Sequence, residues 1–230
     1  MAMTETRKRL NRRYMWVVRE GIAKCLRKHG FSRKNLRFWR DCDPTVAFAI
    51  YAGRDSPWNP DTCSFGLDCG MVVRIVPTTF EQPPADWVPC AESAQIRVQP
   101  EVLARRSLGL EINAEDSDDD VAALAMTCTR LLEDVVLPWF SKFKTARDVG
   151  DYLTSEGERP GKIWFGWREI KHHPESLRNA AIAYFAAGDH DRALELLDLA
   201  AKTNDVPGLH LTLELRTRLA RLIASRKSAH

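Results

Sequence analysis

"NAAIAYFAAGDHDRALELLDLAA", residues 179–201, decides how the last third of the chain is read. Leu177, Ala181 and Tyr184 precede Gly188–Asp189, and Ala193, Leu197 and Ala200 follow it, at three- and four-residue intervals. That is the pattern of two amphipathic helices joined by a tight turn. Ala181 and Ala193 stand where a large side chain would force the two helices apart. Leu209 to Ser225 follows as a third amphipathic helix, placed to cap the pair. A single hairpin cannot bury its own apolar face. It is expected either to pack on the preceding part of the chain, with Ile163, Trp164, Phe165 and Trp167 as candidate contacts, or to leave an open concave face that binds a peptide or a protein.

Upstream, the Gly/Pro-containing GERPGK marks the expected boundary between a first block, residues 1–157, and a helical second block, residues 162–230. Residues 6–29 read as a helix, with Tyr14, Val18, Ile22, Cys25 and His29 on one face and Gly30 as a stop. Arg9, Arg13, Lys24 and Arg27 are expected on the opposite face, with Trp16 near them rather than on the apolar stripe. LRFWR, TVAFAIYAG (45–53), TCSFGLDCGMVVRIV (62–76), AQIRVQ (94–99) and SLGLEIN (107–113) are strand-like runs separated by turn chemistry. They predict a small antiparallel meander, with a bulge or break at Gly66 and Gly70. VAALAMTCTRLLEDVVL predicts a helix ending at Pro138, and a shorter helix follows with Thr145 as its N-cap. The fold class expected is α+β: an N-terminal helix on a small antiparallel sheet with further helices, then an all-α hairpin and its capping helix.

The 230 residues carry a formal net charge of only +3, which conceals two poles. Residues 1–40 hold thirteen Lys and Arg against Glu5 and Glu20, a net +11; residues 81–136 have a net −8. Such poles bind charged partners or fold onto each other. Clustered Lys/Arg with an aromatic, as at Arg9, Arg13, Trp16, Lys24 and Arg27, suit phosphate contact and base stacking. A solvated basic face explains the same residues more plainly. Glu115, Asp116, Asp118, Asp119 and Asp120 could meet a basic partner. They lack the loop glycine and distal Glu of a calcium loop, and helix capping accounts for them equally.

Catalytic signatures are missing: there is no GxSxG, HExxH, Walker loop or GxGxxG. Cys25, Cys42, Cys63, Cys69, Cys90 and Cys128 show no CxxC spacing and no histidine at a zinc-ligand interval. They read as free thiols in a reducing compartment, although a pair such as Cys69 with His29 could assemble in three dimensions. No cofactor and no metal are expected. No stretch of about 18 uncharged apolar residues exists to span a membrane. The basic N-terminus lacks the apolar core of a secretory signal, so a cytoplasmic location is expected.

Two resemblances add to this. The positions Leu177, Ala181, Tyr184, Gly188, Ala193, Leu197 and Ala200 resemble one tetratricopeptide repeat, a motif of about 34 residues. Leu177 stands where that repeat commonly has an aromatic, and no second copy follows. IAKCLRKHGFSRKNLRFWR, CSFGLDCGMVV and LLEDVVLPWFSKFKTARDVGDYL, in that order, resemble a bacterial family known as domain of unknown function 4304. The resemblance spans residues 8–155 and implies a fold and a bacterial source, but no chemistry. EQPPADWVP and the region to Arg106 fit it poorly and leave the strand count there open.

The functional expectation is a non-enzymatic protein-binding module, with an inhibitor or immunity-type protein that neutralises a partner toxin or enzyme as the favoured form. The immunity reading is an analogy with other small bacterial α+β proteins. Nucleic-acid binding through the basic helix is the alternative, and an undetected hydrolase or transferase comes third.

Overall fold

A computed structural model of the chain describes residues 4–54, 61–76, 79–155, 174–203 and 209–227. The first helix is continuous but not uniform: α1 (Glu5–Val17) passes through a π turn (Val18–Ala23) into α2 (Lys24–Lys28). The sequence explains the π turn. Leu10, Tyr14, Val18, Ile22 and Leu26 repeat every four residues, and all five are buried. Four residues of α-helix advance about 400°, so this stripe would drift roughly 160° around an unbroken helix. The wider π turn takes back about one residue, roughly 100°, and keeps the stripe on the core. The helix ends at Lys28, so His29 lies beyond it and is exposed, not on the apolar face as expected. Trp16 also departs from expectation: it is half-buried and packs against the core.

The sheet is a meander. β1 (Ser32–Lys34), β2 (Arg37–Asp43), β3 (Val46–Arg54), β4 (Thr62–Val73) and β5 (Ile96–Val98) pair antiparallel in chain order. β5 leads into a short helix, α3 (Pro100–Ala104), which the sequence pattern did not suggest. β6 (Glu111–Asn113) then pairs with the start of β4. Gly66 and Gly70 neither bulge nor break β4: its register with β3 is unshifted through Gly66↔Gly53 and Gly70↔Ala49. Gly70 is needed for close approach instead. A Cβ there would lie 2.4 Å from the Ala94 Cβ and 2.9 Å from the Ile96 carbonyl oxygen. The irregularity in register falls in β2, between Asp41 and Asp43.

Alternation along β4 divides the sheet faces. Phe65, Leu67, Cys69, Met71 and Val73, with Phe48 and Ile50 of β3, face the helices. Tyr14 packs on Phe65 with ring centroids 5.3 Å apart and donates its hydroxyl to the Ala52 carbonyl at 2.7 Å. Phe140 stacks on Phe48 at 4.7 Å. The opposite face carries small buried residues, Ala47, Ala49 and Val72.

α4 (Asp118–Leu131) starts on a capping box of Ser117 and Asp120. It does not end at Pro138. A second π turn, Leu132–Val136, leads into α5 (Leu137–Phe140), which contains the proline. The wider turn relieves both the missing N–H and the ring's clash with the preceding turn. α6 (Ala146–Thr154) is capped by Thr145 and Asp148, as the sequence predicts.

α7 (Pro174–Ala186) and α8 (His190–Lys202) form the predicted hairpin, with Gly188 at φ +81° and Asp189 accepting from the Arg192 N–H. α9 (Leu209–Lys227) packs on α8, helped by an Arg216–Asp198 ion pair. The hairpin docks on α6. Tyr184 lies against Gly150, where a Cβ would fall 2.8 Å from the ring, and Arg147 reaches Asp189 at 2.8 Å. Phe185 meets Phe80 edge-on at 5.0 Å. The hydrophobic core is continuous from Leu10 to Ile223. GERPGK and the candidate contacts Ile163, Trp164, Phe165 and Trp167 lie outside the described residues. No described helix is long and apolar enough to cross a membrane.

Candidate functional site

The helix pair α1–α2 and α4, running side by side over the sheet, gathers the residues of both charge poles. Its contacts advance in step along both helices. Arg9 donates to the Ala114 carbonyl at 2.6 Å, and Arg13 pairs with Asp118 at 3.1 Å. Gly21 lies against Ala125, and the Thr129 hydroxyl donates to the Gly21 carbonyl at 3.0 Å. At the far end, Cys25 and His29 meet Glu133. The two poles therefore fold onto each other at the N-terminal end of the pair.

That packing divides the basic candidates. Arg9 and Arg13 face the start of α4, and the Arg13 side chain is only 17% exposed. Lys24 pairs with Glu20 at 3.8 Å, and Arg27 is exposed. The single basic face with a projecting Trp16 does not form, because the π turn rotates Lys24 and Arg27 away from Arg9 and Arg13 and the core takes up Trp16.

The acidic candidates are largely occupied with local structure. Asp116 accepts from the Asn113 N–H at 2.8 Å. Asp120 accepts from the Ser117 hydroxyl at 2.6 Å and its N–H at 2.8 Å, and these bonds hold its carboxyl below the usual carboxylate range. Asp118 holds Arg13, whereas Glu115 and Asp119 are exposed.

A cluster that the sequence pattern did not reveal sits where α2 meets the second π turn. The Cys25 thiol donates to the Glu133 carboxylate at 3.9 Å, and the His29 Nε2 lies 3.9 Å from the same oxygen. One donor atom from each of the three residues lies within 4.8 Å of the others. Cys25 is buried, while the His29 and Glu133 side chains are 40% and 42% exposed. Burial, followed by the negative charge of Glu133, pushes the Cys25 thiol up to about 11. Cys25 and His29 stand four apart, so two of the three members were visible in sequence; the third comes from the other helix. The Cys69–His29 pairing does not arise, since Cys69 is enclosed in the sheet beside Ile50 and Val98.

None of the six cysteines forms a disulfide. Burial pushes Cys69 well above the ordinary thiol value and Cys128 to about 12, and it also raises Cys42. These shifts oppose the thiolate a cysteine nucleophile needs. An open groove of about 340 Å³ at the β1–β2 hairpin is lined by Lys34, Asn35, Leu36, Arg37, Tyr51, Asp86 and Val88. Its described lining offers charged groups, but no Ser, Cys or His to act as nucleophile or base.

Comparison with protein-family models, with curated proteins and with solved structures finds no match for this chain.

Proposed function

We propose that this protein is a binding module for another protein and that α9 is its contact surface. The observation that carries this is the exposure of Leu209 and Leu213, at 37% and 46%. They stand four apart, to one side of the stripe Thr212, Leu215, Leu219 and Ile223 that α9 buries. A helix that finishes a stack of helical hairpins needs a polar outer surface. α9 keeps an apolar flank, which suits a further helix supplied by a partner. On this reading the tetratricopeptide-like hairpin has one neighbour in α6, another in α9, and a third position filled on binding.

The finer reading is an inhibitor or immunity-type protein acting on one specific target. The exposed Glu115 and Asp119 suit a basic partner surface, where charge complementarity speeds encounter and discriminates between targets. The division of the basic helix by its own pairing with α4 favours this over nucleic-acid binding.

The test compares the full chain with a Leu209→Glu/Leu213→Glu variant in nuclease-treated lysate of the source cell. The expected result is one protein held at roughly one-to-one through a high-salt wash by the unaltered chain and released by the variant, with the same unfolding midpoint for both. Equal retention by both chains removes α9 from the reading. If untreated lysate yields only nucleic acid, lost at high salt, the proposal is overturned.

A further inference from the structure

We propose that Cys25, His29 and Glu133 form a zinc-binding site at the junction of α2 with the second π turn, with three protein ligands and one position open to solvent. This inference is independent of the protein-binding reading and uses none of its residues.

The donor set is the first argument. One thiolate, one imidazole and one carboxylate match the mixed sulfur, nitrogen and oxygen ligation of Zn²⁺, whereas magnesium and calcium prefer oxygen alone. With thiolate and carboxylate each contributing one negative charge, the bound dication is neutralised. A cation at this half-buried position therefore leaves no net charge to desolvate.

The distances are the second argument. Zinc–ligand bonds of about 2.0–2.3 Å at tetrahedral angles place donor atoms about 3.3–3.6 Å apart. The sulfur-to-oxygen and nitrogen-to-oxygen separations here are both 3.9 Å. Closing these two takes a few tenths of an ångström, and bringing the sulfur and nitrogen, within 4.8 Å of each other, to tetrahedral spacing takes at most about 1.3 Å, supplied by side-chain rotation at the half-exposed His29 and Glu133. The His29 backbone is already tied, since Arg40 donates to its carbonyl at 2.8 Å.

The backbone supplies the third. Each helix carries a π turn close to the cluster: Val18–Ala23 ends one residue before Lys24–Cys25, and Leu132–Val136 contains Glu133. π turns concentrate at functional sites because they re-aim side chains that a regular helix would send elsewhere. The first packs on α4 and the second on α2.

Binding requires the thiol to lose its proton. The S–H bond breaks, a sulfur–zinc bond forms, and the proton passes to solvent; His29 coordinates as the neutral imidazole through Nε2, and Glu133 as carboxylate. The thiol–carboxylate hydrogen bond is exchanged for two bonds to the ion. Lys28, whose charge acts on the thiol in the opposite sense to Glu133, is a nearby cation that opposes entry of the ion. The open fourth position takes water or a side chain from a bound protein.

The experiment uses the full chain, free of any affinity tag, reduced with a phosphine and cleared of metal by a chelator. It is titrated with Co²⁺ as a spectroscopic reporter and then with Zn²⁺. The expected result is one equivalent bound, with a sulfur-to-cobalt charge-transfer band and strong tetrahedral d–d absorption, both removed by Zn²⁺. Cys25→Ser loses the charge-transfer band. His29→Ala and Glu133→Gln, at half-exposed positions that tolerate change, each weaken Zn²⁺ binding by at least about tenfold, the least that loss of even an outer-shell partner produces. Zn²⁺ raises the urea midpoint of the unaltered chain and not that of these two variants. Absence of the band, or equal Zn²⁺ affinity in the unaltered chain and both half-exposed variants, overturns the proposal; the second outcome assigns the metal to the other cysteines.

Discussion

Replacing Gly21 by Ala separates two physical effects of opposite sign. Helix propensity alone favours the change by about 1 kcal/mol, since alanine loses less backbone entropy than glycine. Packing opposes it. A Cβ on Gly21 would lie 2.5 Å from the Ala125 carbonyl oxygen and 2.9 Å from its Cα. A carbon–oxygen approach normally stops at about 3.3 Å, so α1–α2 and α4 must move apart by roughly 0.8 Å. The obstacle is backbone, and no flexible side-chain end can swing aside, which places the cost near the upper end of overpacking, about 3 kcal/mol. The same movement stretches the 3.0 Å hydrogen bond from Thr129 to the Gly21 carbonyl, worth about 1 kcal/mol. The balance is a net loss of about 3 kcal/mol. At a urea slope of about 3 kcal/mol per molar, the midpoint falls by about 1 M with the slope unchanged. Gly66→Ala is the control, because among the described residues nothing lies within 4 Å of a Cβ built there; it should be neutral or raise stability by a few tenths of a kcal/mol to about 1 kcal/mol. An unchanged or higher midpoint for Gly21→Ala would refute the close helix contact and the reasoning built on it.

Stability should also fall at alkaline pH. Burial holds Cys128 neutral to about 12, whereas the unfolded thiol ionises near 9, so its contribution is complete below about pH 9 and lost as pH rises towards 12. That loss amounts to at most about 4 kcal/mol. Urea midpoints at pH 8, 9.5 and 10.5 should decline less steeply in Cys128→Ala than in the unaltered chain, and parallel declines would assign the effect to Cys25 and Cys69. Thr145→Ala removes the α6 cap and should cost about 1 kcal/mol at neutral pH. Burial pulls the Asp148 carboxyl up, but hydrogen bonds from the Lys144 and Thr145 N–H groups and the Thr145 hydroxyl carry it below its ordinary value. The contribution of Asp148 is therefore present above about pH 4 and lost as pH falls through the lowered value. Thr145→Ala should narrow that acid loss, and an unchanged acid arm in urea titrations would contradict it.

Local patterns carried much of the fold. The continuous apolar run of TVAFAIYAG and the alternation in TCSFGLDCGMVV, bounded by turn residues, were enough to predict β3 and β4. The hairpin was equally legible: Leu177, Ala181, Tyr184, Ala193, Leu197 and Ala200 are all buried, and Gly188 takes the left-handed backbone its turn requires. Thr145 announced its helix because a cap involves only neighbours.

The failures share a cause. Pro138 stops a helix only when its turn cannot widen, and the π turn before it settled the matter. Gly70 looked like a break in β4, but its environment comes from Ala94 and Ile96, more than 20 residues away in sequence. Arg9 and Arg13 formed a basic face with Lys24 and Arg27 only on an unbroken helix, without its π turn and without α4 against Arg13. Glu133 joined Cys25 and His29 for the same reason. The sequence by itself determined the long strands, most of the helices, the α6 cap and the hairpin turn, all governed by interactions within a few residues. Only the tertiary structure decided which charges cancel, which glycine is indispensable and where a thiol, an imidazole and a carboxylate converge. Those depend on two helices meeting side by side, and side chains 108 residues apart in the chain leave no local trace of that meeting.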